Sequence, residues 1–167
     1  MIYLPKRGLF VHIPRTGGNS ITAAIASVTA GRNIDCYINT GSGYTPFIDR
    51  HTRASRLRSK IDEWDVLYKF AVDRPLEDRI QSFLRMCKRD VTLEVWNDPT
   101  CPQAWAEYIN DPNLEAIVRE TWAGHTTDYF VDDSVELIPF DELTLRWPEI
   151  CDKLQIPRCE LPHLNKA

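Results

Sequence analysis

Apolar and polar positions along this chain alternate between two periods, which predicts strands followed by helices. Two short apolar runs, Gly8–Ile13 and Val66–Val72, are typical of buried strands. After each run the apolar residues recur at intervals of three and four, which predicts helices over Asn19–Val28 and from Pro75 onward. Strands that alternate with helices favour a three-layer α/β/α fold with a central, largely parallel sheet.

The rest of the pattern is weaker and fits the same α/β class. Gly31 is expected to close the first helix, and residues 39–47 are expected to form a loop. Further helices are predicted over His51–Trp64, Pro102–Ile109, Asn113–Trp122 and Asp141–Leu154, the last interrupted near Pro148. Tyr129–Val131 and Val135–Pro139 are predicted as a short strand pair or as a strand with an irregular lead. No repeat or linker divides the 167 residues, so we expect a single domain over residues 1–167.

The turn between the first strand and helix, with the sequence PRTGGNS, has the composition of an anion-binding loop. Gly17 and Gly18 can adopt backbone conformations that let successive N–H groups converge on one anion. The helix that follows adds its own N–H groups and the positive end of its dipole, and Asn19 and Ser20 are expected to cap it. Arg15 adds a full positive charge. We therefore expect this loop to bind a phosphate-like group.

The loop does not match the common nucleotide-binding motifs. An ATP or GTP loop needs G-x-x-x-x-G-K followed by Ser or Thr. Here the loop is shorter and its cation precedes the glycines, and a G-x-G-x-x-G dinucleotide motif is also absent. A simple ATP or GTP site is therefore disfavoured.

A second strand–helix turn, in FAVDRPLEDRIQSF from Phe70 to Phe83, repeats this arrangement. Arg74 lies at the turn and Ser82 lies eight residues further along the helix, so that both could bind one phosphate. Arg79 is expected to pair with an acidic neighbour, Asp78 or Glu77, or to contact the ligand. Two anion sites on neighbouring turns suggest a nucleotide that carries phosphates at two separate positions.

Charge and composition narrow the class of ligand. The net charge is −4, yet residues 1–90 carry +6 and residues 91–167 carry −10. The phosphate-type loop lies in the basic half, which favours an anionic small ligand over nucleic acid. Five scattered cysteines without a C-x-x-C pair indicate neither a disulfide framework nor a zinc site, and we expect no metal. Without a long apolar run or a signal peptide, we expect a cytoplasmic protein that does not interact with membranes.

These motifs resemble those of the sulfotransferases that use 3′-phosphoadenosine 5′-phosphosulfate (PAPS), in particular the carbohydrate-type branch. His12–Ser20 resembles the family's H-I-P-K-T-G-G-T-S, and Phe70–Ser82 resembles its F-x-F-V-R-N-P-x-D-R-x-x-S. Weaker likenesses, in the same order along the chain, involve His51, Trp64, Tyr68–Phe70, Thr126–Phe130, Phe140–Leu143 and Leu161–Asn165.

The resemblance implies a P-loop-like sulfotransferase fold and a set of roles. The 5′-phosphosulfate would be bound by Arg15, Thr16, Gly17, Gly18, Asn19 and Ser20. Arg74 and Ser82 would bind the 3′-phosphate, and Arg15 would also stabilise the leaving group. His51 would act as the general base on a hydroxyl of a glycan or small-metabolite acceptor, whereas His12 is expected to be structural. PAPS is then the co-substrate, and the reaction needs no metal.

The sequence departs from the family pattern at three places, and two other functions stay open. Arg15 replaces the loop lysine, Thr126 replaces a glutamine, and the proline of R-N-P is displaced to Pro75. One alternative is a nucleotide or nucleoside kinase with a degenerate phosphate loop, in which Asp73 would hold magnesium. The other is a catalytically reduced module that binds the nucleotide without turnover.

Overall fold

The protein is built on a five-stranded open sheet. The computed structural model describes residues 1–38, 51–90 and 111–163. Its strands are β1 (Ile2–Leu4), β2 (Gly8–Phe10), β3 (Tyr37–Ile38), β4 (Tyr68–Asp73) and β5 (Glu136–Pro139). Their order in the sheet is β3-β1-β2-β4-β5. The α/β class is thus confirmed.

The sheet is mixed, and the predicted parallel arrangement holds for only three of its five strands. β2, β4 and β5 run parallel, with Phe10 opposite Phe70 and Phe70 opposite Glu136. β1 is antiparallel to both β2 and β3. β1 and β3 have no counterpart among the predicted strands. Only three residues separate β1 from β2, and a connection this short permits only antiparallel pairing.

Six helices occur in the described residues, and two of them confirm the strand–helix motifs. They are α1 (Gly18–Thr29), α2 (Ala54–Arg58), α3 (Leu76–Asp90), α4 (Leu114–Arg119), α5 (Thr127–Phe130) and α6 (Leu143–Lys153). Short 3₁₀ turns span Trp64–Val66 and Trp122–Gly124. α1 follows β2, and α3 begins directly after Pro75, as predicted.

Other predicted elements differ from the structure. Of the helix predicted over His51–Trp64, only α2 forms. The strand pair predicted as one alternative for Tyr129–Val131 and Val135–Pro139 is wrong, since Tyr129 and Phe130 lie in the short helix α5. The other alternative, a single strand at Val135–Pro139, is confirmed by β5. α6 continues through Pro148 without the predicted interruption. The loop at 39–47 and the helix predicted over Pro102–Ile109 lie outside the described residues.

Two hydrophobic clusters cover opposite faces of the sheet. Side chains alternate along β4, so that Phe70 belongs to one cluster and Ala71 to the other. The first cluster joins the sheet to α1 and α6, with Trp147 as its largest buried side chain. The second joins it to α2, the Trp64 turn and Phe130. Helical segments therefore lie on both faces.

A third cluster connects α3 to α4 and is separate from the two sheet clusters. Its buried members are Ile80, Phe83, Leu84, Leu114, Val118 and Ala123. On its surface, Arg119 of α4 pairs with Glu77 of α3 at 2.5 Å. Among the described residues, the buried apolar side chains of α3 belong to this α3–α4 cluster.

None of the helices in the described ranges is long and apolar enough to cross a bilayer.

Candidate functional site

The two strand–helix turns lie side by side at the carboxyl ends of the neighbouring strands β2 and β4. This follows from the parallel pairing of β2 with β4, since α1 and α3 then begin at the same edge. Arg74 Nη1 donates to the backbone carbonyl of Arg15 at 3.5 Å. The Arg15 guanidinium in turn donates to Ser82 Oγ, from Nη2 at 3.1 Å and from Nε at 3.3 Å. Three residues predicted to bind phosphate are thus in contact.

The first loop has an unusual backbone. Gly17 has a φ of +86° and Arg15 has a φ of +64°, a region that non-glycine residues seldom occupy. Thr16 is fully buried, and its hydroxyl donates to the Ile13 carbonyl at 2.8 Å. That hydroxyl hydrogen therefore maintains the loop and is not available to a ligand.

The start of α1 differs from the predicted capping. Gly17 is the residue before the helix and no side chain caps it, so Asn19 and Ser20 lie within the first turn instead. The first helical hydrogen bond runs from the Ile21 N–H to the Gly17 carbonyl at 3.2 Å. Ser20 is buried and Asn19 is exposed. The positive end of the α1 dipole is therefore directed at the loop, as an anion site requires.

Gly18 is needed because the ring of His12 lies against it. A Cβ atom at Gly18 would be 1.9 Å from His12 Nε2. His12 is buried and stacks on Phe10, with ring centroids 5.4 Å apart. The structural role predicted for His12 does not include this contact, because the partner of a glycine leaves no local signal in the sequence.

His51 contacts His12, the same residue that packs against Gly18 of the loop. The centroids of the His51 and His12 rings are 4.6 Å apart, and His51 Nδ1 is 3.0 Å from the His12 carbonyl oxygen. A carbonyl only accepts, so Nδ1 carries the hydrogen and the lone pair of the neutral ring is on Nε2. This is the tautomer in which Nε2 can accept a proton from a substrate.

Phe140 is a site residue that sequence reasoning missed. Its ring is 39% exposed and the Arg74 guanidinium lies over it, 4.6 Å from the ring centroid. A Cβ atom at Gly17 would lie 3.4 Å from the same ring. The Phe140 N–H also donates to the Asp73 carbonyl at 2.8 Å. Phe140 therefore contacts both turns, although in the sequence it is part only of a weak family likeness.

Asp73, which the kinase alternative requires as a magnesium ligand, accepts a hydrogen bond. Thr127 Oγ1 donates to Asp73 Oδ1 at 2.6 Å and links the second turn to α5. In residues 1–38, 51–90 and 111–163, no group of three or more His, Cys, Asp or Glu side chains could hold a metal ion.

Arg79 lies in the interior and pairs with neither of its expected acidic neighbours in the part of the chain that the structure describes. It is only 1% exposed, and its Nη2 donates to the carbonyls of Ala123 and His125. Its Nε and Nη1 atoms have no hydrogen-bond partner there. Burial lowers the pKa of Arg79, although the negative charge of Asp73 opposes this shift. Arg79 therefore supports the 123–125 segment from beneath.

A cavity of about 380 Å³ opens beside the segment that follows His51. Tyr129 forms one wall, with its ring between the His125 ring at 3.7 Å and the Arg53 guanidinium at 4.8 Å. The cavity is lined by Arg53, Ser55, Asp128, Tyr129, Phe130, Val131 and Asp132. Polar groups of both charges make it suitable for a hydroxyl-rich ligand.

Comparison with known proteins adds no assignment to this geometry. No protein-family model, no curated protein and no solved structure matches this chain.

Proposed function

We propose that this protein transfers a sulfuryl group from PAPS to a hydroxyl group of a glycan or small metabolite. The observation that carries the proposal is the contact between the two anion-binding turns. Arg15 on the first turn lies within hydrogen-bond distance of Ser82, and Arg74 on the second donates to Arg15. One nucleotide with anionic groups at both ends of its ribose would engage both turns.

The nucleotide would lie across the two turns. The glycine loop and the start of α1 would bind the 5′-phosphosulfate through backbone N–H groups, which suit an anion without a metal. Arg74 and Ser82 would bind the 3′-phosphate, the first by charge and the second by its hydroxyl. Phe140, exposed between the turns, adds an apolar surface beside the nucleotide.

His51 would supply the base. The acceptor oxygen attacks sulfur, the bond between sulfur and the 5′-phosphate oxygen breaks, and adenosine 3′,5′-bisphosphate leaves. His51 Nε2 takes the proton of the attacking hydroxyl, while Nδ1 remains hydrogen-bonded to the His12 carbonyl. A positioned base contributes about 10²–10⁴-fold to the rate. The Tyr129 cavity, beside the segment after His51, is the proposed acceptor site.

Calorimetry with adenosine 3′,5′-bisphosphate tests the binding step. We expect micromolar affinity in the absence of magnesium, since no metal is needed to bind the two anionic groups. Magnesium-dependent binding of ATP, together with no binding of the bisphosphate, would instead support the kinase alternative.

Transfer of labelled sulfate from PAPS to a panel of hydroxyl acceptors tests the chemistry. His51→Ala should lower the transfer rate at least about 100-fold and leave bisphosphate affinity nearly unchanged. His163→Ala, at an exposed histidine in the C-terminal segment, is the matched control and should keep full activity. An active His51→Ala variant would remove the base assignment.

A second candidate, a nucleotide-binding module without turnover, is favoured by one observation. The Arg15 side chain, which replaces the family lysine, contacts Ser82 and Met86 on α3 instead of lying along its own loop. Bisphosphate binding without sulfate transfer to any acceptor would support this candidate over the enzyme.

A further inference from the structure

The guanidinium group of Arg15, on the glycine loop, is hydrogen-bonded to two side chains of α3. Its Nη2 and Nε atoms lie 3.1 and 3.3 Å from Ser82 Oγ, and its Nη1 donates to Met86 Sδ at 3.0 Å. An anionic ligand at Arg15 therefore competes with Ser82 and Met86 for the N–H groups of one guanidinium.

Met86 provides the weaker of these two acceptors. A thioether sulfur accepts hydrogen bonds only weakly, so this contact releases the guanidinium to a charged ligand at little cost. The Met86 side chain is half-buried and packs against the α3–α4 cluster. Its sulfur is thus held beside Arg15 on a side chain that solvent still reaches.

Oxidation by a peroxide would replace this weak acceptor by a strong one. The sulfur lone pair attacks the peroxide, an S–O bond forms and the O–O bond breaks. Sulfur loses two electrons, and hydrogen peroxide is reduced to water. The product, methionine sulfoxide, is polar, and its oxygen lies within reach of Arg15 Nη1, which is only 3.0 Å from the sulfur.

Met86 is also the accessible methionine of the chain. The sequence contains two methionines, and the other one, Met1, is only 4% exposed. A peroxide should therefore oxidise Met86 before Met1.

We propose that Met86 is an oxidation site that controls the affinity of the protein for its nucleotide, because its sulfoxide holds the Arg15 guanidinium on α3 and withdraws it from the ligand. This inference rests on the proposed function, in which Arg15 binds the nucleotide, and adds a second, low-affinity state to it. Enzymatic reduction of the sulfoxide returns the thioether, so the change is reversible.

Calorimetry before and after oxidation tests the inference. Wild type is treated with hydrogen peroxide until peptide mass spectrometry shows one added oxygen on Met86, and is then titrated with adenosine 3′,5′-bisphosphate. We expect the affinity to fall at least about tenfold, as for the loss of one charge-assisted hydrogen bond. Treatment with the two methionine sulfoxide reductases, one for each sulfoxide epimer, should restore the affinity, because these enzymes act on oxidised methionine.

Two variants separate the sulfoxide from other effects of peroxide. Met86→Leu keeps the apolar volume and lacks the sulfur, so that peroxide should change its affinity by less than about twofold. Met86→Gln places an amide oxygen near Arg15 without any oxidant, and should bind the bisphosphate more weakly than Met86→Leu.

The outcomes distinguish this inference from the proposed function. If untreated wild type binds the bisphosphate and oxidation of Met86 leaves the affinity unchanged or raises it, the inference fails and the proposed function stands. The same holds if the reductases do not restore a lowered affinity, or if Met86→Leu loses as much affinity in peroxide as wild type. If untreated wild type binds no bisphosphate, both fail.

Discussion

Gly18 and His12 are in direct contact, since a Cβ atom at Gly18 would lie 1.9 Å from Nε2 of the buried His12 ring. Gly18→Ala should therefore lower the free energy of unfolding by about 1–3 kcal/mol, as overpacking does. Alanine is the better helix former by about 1 kcal/mol, so propensity alone predicts the opposite sign. In a His12→Ala background, Gly18→Ala should become neutral or stabilising. Urea unfolding of the four proteins measures this, and equal losses in both backgrounds would contradict the contact.

The left-handed backbone of Gly17 predicts a different response to alanine. Gly17 and Gly31 both have positive φ, +86° and +73°, but only Gly17 has neighbours at the position of the added Cβ. Gly31→Ala should cost about 1–2 kcal/mol of stability and leave bisphosphate binding intact. Gly17→Ala should cost at least as much and also weaken binding at least about tenfold, because it alters the anion loop. Similar binding losses in both variants would refute the role of this loop.

The interior position of Arg79 predicts that its volume matters more than its charge. Two of its nitrogens are buried without a partner among the described residues, and burial lowers its pKa. Arg79→Met keeps most of the volume and removes the unpaired donors, so we expect a change in unfolding free energy below about 1 kcal/mol. Arg79→Ala leaves a cavity and should cost about 3 kcal/mol. If urea unfolding shows equal losses of stability for Arg79→Met and Arg79→Ala, the hydrogen bonds to the Ala123 and His125 carbonyls contribute more than the volume of the side chain.

The lowered pKa of Glu136, on β5, predicts that part of the protein's stability is lost at acid pH. Burial acts to raise the pKa of its carboxyl, but hydrogen bonds from Lys153 and Arg146 outweigh burial, and the pKa lies below its usual 4.5. Because the pKa is lowered in the folded state, the contribution of Glu136 to the free energy of unfolding is complete above about pH 4.5. It is lost as the pH falls through the pKa of the folded state. Glu136→Gln should therefore cost about 1 kcal/mol near neutral pH and progressively less toward pH 3.

Urea unfolding across this pH range measures the Glu136 effect. Glu160→Gln, at an exposed residue of the C-terminal segment, is the matched control and should leave the pH profile unchanged. A cost for Glu136→Gln that stays constant down to pH 3 would show that the ion pairs with Arg146 and Lys153 are not its source.

The sequence located the parts of this site whose signals are local. Glycines after an apolar run and the helical spacing that follows predicted the β2–α1 turn, and Pro75 predicted the start of α3, because both depend on backbone preferences. β1 and β3 are only three and two residues long and are stabilised by pairing with other strands. A local sequence pattern therefore does not predict them. Tyr129–Val131 has strand-forming side chains, but α5 forms there instead. The contacts of Phe140 with both turns are likewise non-local.

The anchoring of α3 has a consequence for motion within the protein. Ser82 lies on a helix whose apolar side chains pack with α4, whereas the glycine loop lies above the sheet clusters. Hydrogen bonds from Arg15 to Ser82 and from Arg74 to Arg15 already join the two turns, and a ligand that spans both would add to them. Each opening of α3 would then also release part of the ligand's contacts. Saturating bisphosphate should therefore slow amide hydrogen exchange along α3 more than along α6, even though α6 packs directly on the sheet.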